Sequence, residues 1–203
     1  MGLIGTKEEA RAIKQQIKGW LNTNLRLELS DEKTLITHAT TQHARFLGYD
    51  IRIMMIPDRL DRHGRRATNG KISLRVPIDV VNKRCQRYLS VRKKPTHRAE
   101  LREESDYSIV TLYQQEYRGI VQYYKLAHNV SWFTRLHWVM QTSLLKTLAS
   151  KHKTTVMKLA RKYRATTTTL EGKTLKCLDV RVERTGKFPL IARFGGISLA
   201  RQS

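Results

Sequence analysis

Apolar residues recur at helical spacing through much of the chain. In residues 6–24, Ile13, Ile17, Trp20 and Leu21 fall on one side and leave Lys14 and Lys18 on a wet face. The stretch "TKEE" marks the start of this helix: Thr6 can accept a backbone N–H, and Glu9, three residues on, can reach back to the cap. Period-two alternation then predicts strands in "LRLELS" (residues 25–30) and "GYDIRI" (residues 48–53), with "KTLITH" a third between them. The first part of the chain therefore reads as one helix on a small antiparallel sheet.

The pattern changes after residue 56. "PDRLDRHGRRATNG" (residues 57–70) is rich in breakers and charge and reads as a loop or hairpin between two subdomains. Pro77 suits the first turn of a helix carrying Ile78, Val81, Cys85, Tyr88 and Leu89, and Pro95 interrupts the chain after it. Helical patterns dominate from there, at about residues 105–127, 131–151 and 154–163. "ATTTTL" (residues 165–170) reads as a short polar linker, the tail from Lys173 as extended, and "FGG" at residues 194–196 as a turn. The expected fold class is α+β: a small antiparallel sheet with one helix, then a mainly α-helical bundle and an extended tail.

The helical half has an uneven distribution of rings and charges. Ile109, Leu112, Tyr113, Tyr117, Ile120, Tyr123, Tyr124 and Ala127 share one arc, while Gln114, Arg118, Gln122 and Lys125 fall on the other side. The ring side reads as core, its hydroxyls finding partners inside, and the basic side as the surface for phosphate. Glu116 lies within the apolar arc. An unpaired buried carboxylate is costly, so a tyrosine hydroxyl or an arginine is expected beside it. On the next helix Trp132, Phe133, Leu136, Val139, Met140, Leu144 and Leu148 share an arc that excludes Arg135, Trp138 and Lys146. Trp138 there meets either a neighbouring helix or a stacked base.

Between Tyr117 and Leu170 there are Lys and Arg residues but no acid, whereas an ordinary solvated helical surface intersperses the two signs. A second acid-free run, residues 80–99, holds Arg92, Lys93 and Lys94 beside His97. Over the whole chain, 39 Lys and Arg against 17 Asp and Glu give a formal charge of +22. So strong a bias implies a polyanionic partner: nucleic acid first, an acidic membrane surface second. Cys85 and Cys177 lie far apart with no Cys-x-x-Cys spacing, which suggests neither a zinc site nor a disulfide framework. No apolar run approaches the roughly 20 residues of a bilayer span, and "MGLIGTKEEA" turns charged too early for a signal peptide. A cytoplasmic, nucleic-acid-associated protein is expected.

The same residues resemble a family: the reverse transcriptase/maturase proteins encoded by bacterial and organellar group II introns. "LIGTKEEARAIKQQIKGWLNTNLRLELSDEKTLITHATTQHARFLGYDI" is similar to the end of the family's palm. "EYRGIVQYYKLAHN" followed by "TSLLKTLASKHKTTVMKLARKY" resembles its thumb and maturase region, domain X, and "RVERTGKFPLIARFGGISLARQ" resembles the segment that precedes an endonuclease domain in many members. The resemblance implies a residual palm in residues 1–56, a linker or hairpin in 57–76, a thumb/maturase region in 77–165 and a tail in 166–203. The family's polymerase aspartates, which hold two metal ions on the attacking and leaving oxygens, lie in a Tyr-Ala-Asp-Asp hairpin upstream of the position matching "LIGTK". No Asp-Asp pair occurs in this chain, so it is expected not to polymerise alone.

Other positions carry over by resemblance. Lys33 matches a family lysine near the incoming nucleotide and is either a proton donor to the leaving pyrophosphate or a surface lysine. Phe46, Leu47, Gly48 and Tyr49 resemble the hairpin that grips the primer end, with an ordinary strand as the rival reading. Arg118, Lys125, Arg135, Lys146, Lys151, Lys153, Lys158, Arg161 and Lys162 match the basic helical region that grips intron RNA and template–primer duplex. The implied partners are group II intron RNA, the template–primer duplex of a full-length parent, and an N-terminal palm fragment or a second copy. No cofactor is expected in this chain; magnesium belongs to the full-length polymerase and to the RNA.

Overall fold

The computed structural model describes residues 2–54, 64, 70–169 and 172–201. The loop or hairpin read over residues 57–70 thus lies outside the described residues, Gly64 and Gly70 excepted. The chain divides into two units, Met1–Ser73 and Leu74–Ser203.

The first unit opens with α1 (Lys7–Leu25), which starts where the sequence places it. The Thr6 hydroxyl accepts from Glu9 N at 3.2 Å and the Glu9 carboxylate accepts from Thr6 N at 2.6 Å, so two otherwise orphaned donors are satisfied reciprocally. The helix ends at Arg26, whose φ of 52° is left-handed. None of its residues is buried: Ile13 and Ile17 are half-covered and Trp20 is 57% exposed. β1 (Ala44–Phe46) and β2 (Tyr49–Met54) pair antiparallel with Phe46 opposite Tyr49. That register leaves Leu47 and Gly48 as a two-residue turn, both with positive φ (46° and 75°), the handedness that follows strand twist. β3 (Lys71–Arg75) completes a sheet of order β1-β2-β3.

Two of the three strands expected here are absent. "LRLELS" begins inside α1, and residues 33–38 form no ladder. Alternation makes a strand only where one face is buried against something, and Leu25, Leu27 and Leu35 are all exposed.

The second unit holds α2 (Ile78–Gln86), α3 (Asp106–Tyr123), α4 (Phe133–Lys151) and α5 (Val156–Lys162), followed by an antiparallel sheet of order β4-β5-β6. Its strands are β4 (Arg164–Thr168), β5 (Thr174–Arg184) and β6 (Lys187–Gly195). The tail read as extended is therefore a hairpin, and "ATTTTL", read as a linker, supplies β4 through Thr168. Threonine's branched Cβ suits a strand, and Ala165 pairs with Cys177 across the ladder. On one sheet face Leu178 and Val180 of β5 and Ala192 and Phe194 of β6 are buried, with α3 packed on β6. α3 contributes Ile109, Val110, Tyr113, Tyr117, Ile120 and Val121 to this core, and α4 contributes Phe133, Leu136, Val139, Met140, Leu144 and Leu148. Each such side chain is worth about 1.5–3 kcal/mol in water removal.

Polar groups fasten this core. The Gln114 amide donates to Gly195 O at 3.2 Å and accepts from Gly195 N at 2.9 Å, pinning the end of β6 to α3. Asn129 treats Val76 likewise, accepting from its N–H at 2.7 Å and donating to its carbonyl at 3.1 Å. Glu116 has the partners expected of it: the Tyr88 hydroxyl donates to its carboxylate, as does Arg98 Nη1 at 3.2 Å. Ser105 and Thr155 cap α3 and α5, accepting from Ser108 N at 3.0 Å and Lys158 N at 3.4 Å.

Candidate nucleic-acid interface

The inward direction of the rings decides what the outside of the helical unit is made of. Tyr113, Tyr117 and Tyr124 are buried, and Phe194 sits among Tyr113, Tyr117 and His137 at ring-centre separations of 6.3, 5.8 and 5.3 Å. Tyr123, read on the same arc, is instead 56% exposed, because it lies at the last turn of α3.

The cations then sort by what holds them. On α4, 100° steps put Arg135, Trp138, Thr142 and Lys146 in one stripe outside the buried face. Arg135 Nη1 donates to Asn82 Oδ1 of α2 at 3.0 Å, and Lys146 Nζ donates to the Pro95 carbonyl at 2.6 Å. α2 thus flanks one end of the stripe and the turn before Pro95 the other. That turn exposes Arg92, Lys93 and Lys94, and is closed by Ser90 N donating to Lys94 O and Lys93 N donating to Ser90 O, each at 2.8 Å. Trp138 is 58% exposed, so its ring is not packed between helices.

On α5, Lys158, Arg161 and Lys162 are exposed opposite buried Leu159, with the Lys162 ammonium 5.2 Å from the Tyr163 ring centre. Lys153 is exposed just before this helix, at a φ of 49°. Arg118 is exposed on α3, and Lys125 is half-buried just beyond its end. Lys151 is withdrawn from solvent chemistry: it bridges Asp106 at 2.9 Å and donates to the Glu104 carbonyl.

The structure therefore brings Arg135 and Lys146 onto one stripe with Trp138, and gathers Lys158, Arg161 and Lys162 on one helix face. Arg118 and Lys125, on α3 and just beyond its end, belong to neither group. Sequence reasoning did not single out Lys83 and Arg84, exposed on the helix that flanks the α4 stripe, or Arg87, exposed just after it; their place in the acid-free run of residues 80–99 was the signal.

In the first unit, Phe46 and Leu47 are 62% and 70% exposed at the tip of the β1–β2 hairpin. Lys33 is exposed in the turn after Asp31. The Asp31 carboxylate accepts from Lys18 at 2.7 Å and bridges Lys14 at 2.9 Å, and these hydrogen bonds, Lys18 first, pull its pKa down to about 2. Asp50 pairs with Arg45 at 3.2 Å. Among the described residues no three His, Cys, Asp or Glu side chains gather as metal ligands would. Among them, too, no helix is long and apolar enough to cross a membrane.

Packing perturbs titratable groups of the second unit, Asp106 and His137 among them. Burial pushes the Asp106 carboxyl up, but hydrogen bonds from Lys151, His152 and Tyr163 outweigh it and leave the pKa below its ordinary value. Burial alone lowers His137, whose ring stacks on Phe194 with 13° between planes.

Fold and charge together define an α+β protein whose helical unit buries most of its tyrosines and exposes most of its cations. Residues 69–194 match the family described as Type II intron maturase, and the chain belongs to that family. The Group II intron-encoded protein LtrA of Lactococcus lactis subsp. cremoris is 41% identical over 164 residues, covering 76% of this chain and 27% of that protein. The Putative COX1/OXI3 intron 1 protein of Saccharomyces cerevisiae is 33% identical over 172 residues, covering 77% of this chain and 20% of that protein. The chain spans about a quarter of the length of the curated relatives it matches.

Proposed function

We propose that this chain is an RNA-binding portion of a group II intron maturase, which holds folded intron RNA and promotes its splicing. The observation that carries the reading is the exposed, acid-free set Arg118, Arg135, Lys158 and Arg161 on helices that bury Tyr113, Tyr117 and Phe133 on their other side. Such groups neutralise phosphates and recognise the shape of a folded RNA more than its sequence. The splicing chemistry on this reading belongs to the RNA, with magnesium serving the RNA, and the protein acts in the cytoplasm of a bacterium. The contribution of the side chains is positional: cations lower the repulsion between helices of the ribozyme, and Trp138 offers a ring to an unpaired base.

A salt series tests this. Binding of a group II intron RNA should keep its advantage over a scrambled RNA of equal length as ionic strength rises. Reversing Arg118, Arg135 and Lys158 to glutamate together should weaken binding at least tenfold and flatten the salt slope, by about one unit per lost contact, with the helical circular dichroism unchanged. Unchanged binding by this triple variant refutes the assignment of the surface.

A second reading, a fragment of a split RNA-directed DNA polymerase, is favoured by the uncovered face of α1, where Trp20 and Leu25 are more than half exposed. In it Lys33 and the Phe46–Tyr49 hairpin serve a palm completed by another fragment bearing the paired aspartates. Mixing the two and assaying primer extension with magnesium decides it, and no extension counts against it.

A further inference from the structure

β5 and β6 outrun the sheet that carries them. β4 pairs with β5 only from Thr174 to Leu178, whereas β6 follows β5 out to the Arg184–Lys187 pair. Beyond Asp179 the two strands continue without β4, and past the buried Val180–Ala192 pair they form an exposed ribbon that turns at Gly186, where φ is 68°. The register breaks between Val182 and Arg184, a bulge that re-aims the tip.

The tip carries an exposed ring and exposed cations side by side. Phe188 is 91% exposed, and Ile191 behind it is 52% exposed. Around them Arg181, Arg184 and Lys187 are exposed, and the one acid, Glu183, is bound to Arg181 at 2.8 Å. The Arg184 guanidinium donates twice to the Phe188 carbonyl, at 3.0 and 2.7 Å, and so fixes the backbone from which the ring projects. A bare ring on a stiffened backbone among cations is the arrangement that stacks on a base while the flanking phosphates are neutralised. Net positive charge at the tip disfavours pairing with a second copy of the same ribbon.

We propose that the β5–β6 ribbon is a separate contact for single-stranded RNA, with Phe188 stacking on one unpaired base and Arg184 and Lys187 on the adjoining phosphates. It deepens the RNA-binding reading by adding a site for an unpaired segment, distinct from the helical cations. The full chain is titrated with a short fluorescent oligouridylate, a blunt RNA duplex of the same length and an oligothymidylate, at low and high salt.

Phe188→Ala should weaken oligouridylate binding roughly tenfold, by a similar factor at both salt concentrations, and leave duplex binding within twofold. Phe188→Trp should restore it. Lys187→Gln should instead reduce the salt slope by about one unit. Equal losses on strand and duplex, no loss on the strand, or Phe188-dependent binding of the deoxy strand alone each overturn the proposal. So does conversion of a dimer to a monomer by Phe188→Ala in sedimentation, with oligonucleotide binding intact. The glutamate variant of Arg118, Arg135 and Lys158 keeps the ribbon, so Phe188-dependent strand binding in that variant separates a failure here from a failure of the helical surface.

Discussion

Replacing Phe194 with alanine should remove a large part of the stability of the second unit. The ring is fully buried and lies within 6.3 Å of three others, those of Tyr113, Tyr117 and His137, so no neighbour can swing in without leaving its own packing. Phe→Ala in a core costs about 3–5 kcal/mol, and each aromatic pair adds about 0.5–1.5 kcal/mol beyond area. The loss should therefore sit near the top of that range, against a total stability of about 5–15 kcal/mol for an ordinary domain. Urea unfolding followed by helical circular dichroism measures it, because the helices α3 and α4 report on a side chain that belongs to β6. Phe194→Leu should cost no more than about 1.5 kcal/mol, and Phe188→Ala on the same strand less than about 0.5 kcal/mol. A loss below about 1 kcal/mol for Phe194→Ala would mean that the sheet is not part of the helical core, and the packing argument would fail.

Two further outcomes concern acid. A buried histidine with a lowered folded pKa binds fewer protons than the unfolded chain, so His137 should cost stability as pH falls below its ordinary 6.5; His137→Leu should flatten that limb in melts taken across the range. Asp106, lowered below its ordinary 3.8, contributes stability above that value and loses it as pH falls through its folded pKa. Asp106→Asn should remove this second, more acidic limb and destabilise the chain by about 1–3 kcal/mol near neutrality, since Lys151, His152 and Tyr163 lose a charged acceptor.

The parts of the fold written in local chemistry were readable in the sequence. Thr6 and Glu9 announce the start of α1 through a reciprocal bond that needs no distant partner, and the 3.6-residue spacing of Tyr113, Tyr117 and Ile120 already names the face that the structure buries. What depends on remote partners was not readable. β4 is a run of threonines with no apolar alternation, and it becomes a strand because β5 lies alongside. Leu25, Leu27 and Leu35 alternate like strand residues but meet no surface. Among the candidate interface residues the basic character of the helices was plain, yet the loss of Lys151 to Asp106 was not, because Asp106 opens α3 and Lys151 closes α4, and only the packing of the two helices brings those distant positions together.

The Gln114–Gly195 clasp bears on how the chain is made. Synthesis delivers α3 long before β6, so its ring-bearing face waits for its cover while the intervening residues emerge, several seconds at about 5–20 residues per second. During that interval Tyr113 and Tyr117 lack the strand that covers them in the folded unit, and exposed apolar surface of this kind favours aggregation. Completion of β6 is therefore the step that covers the ring-bearing face of α3 and removes the exposed apolar surface of the nascent unit.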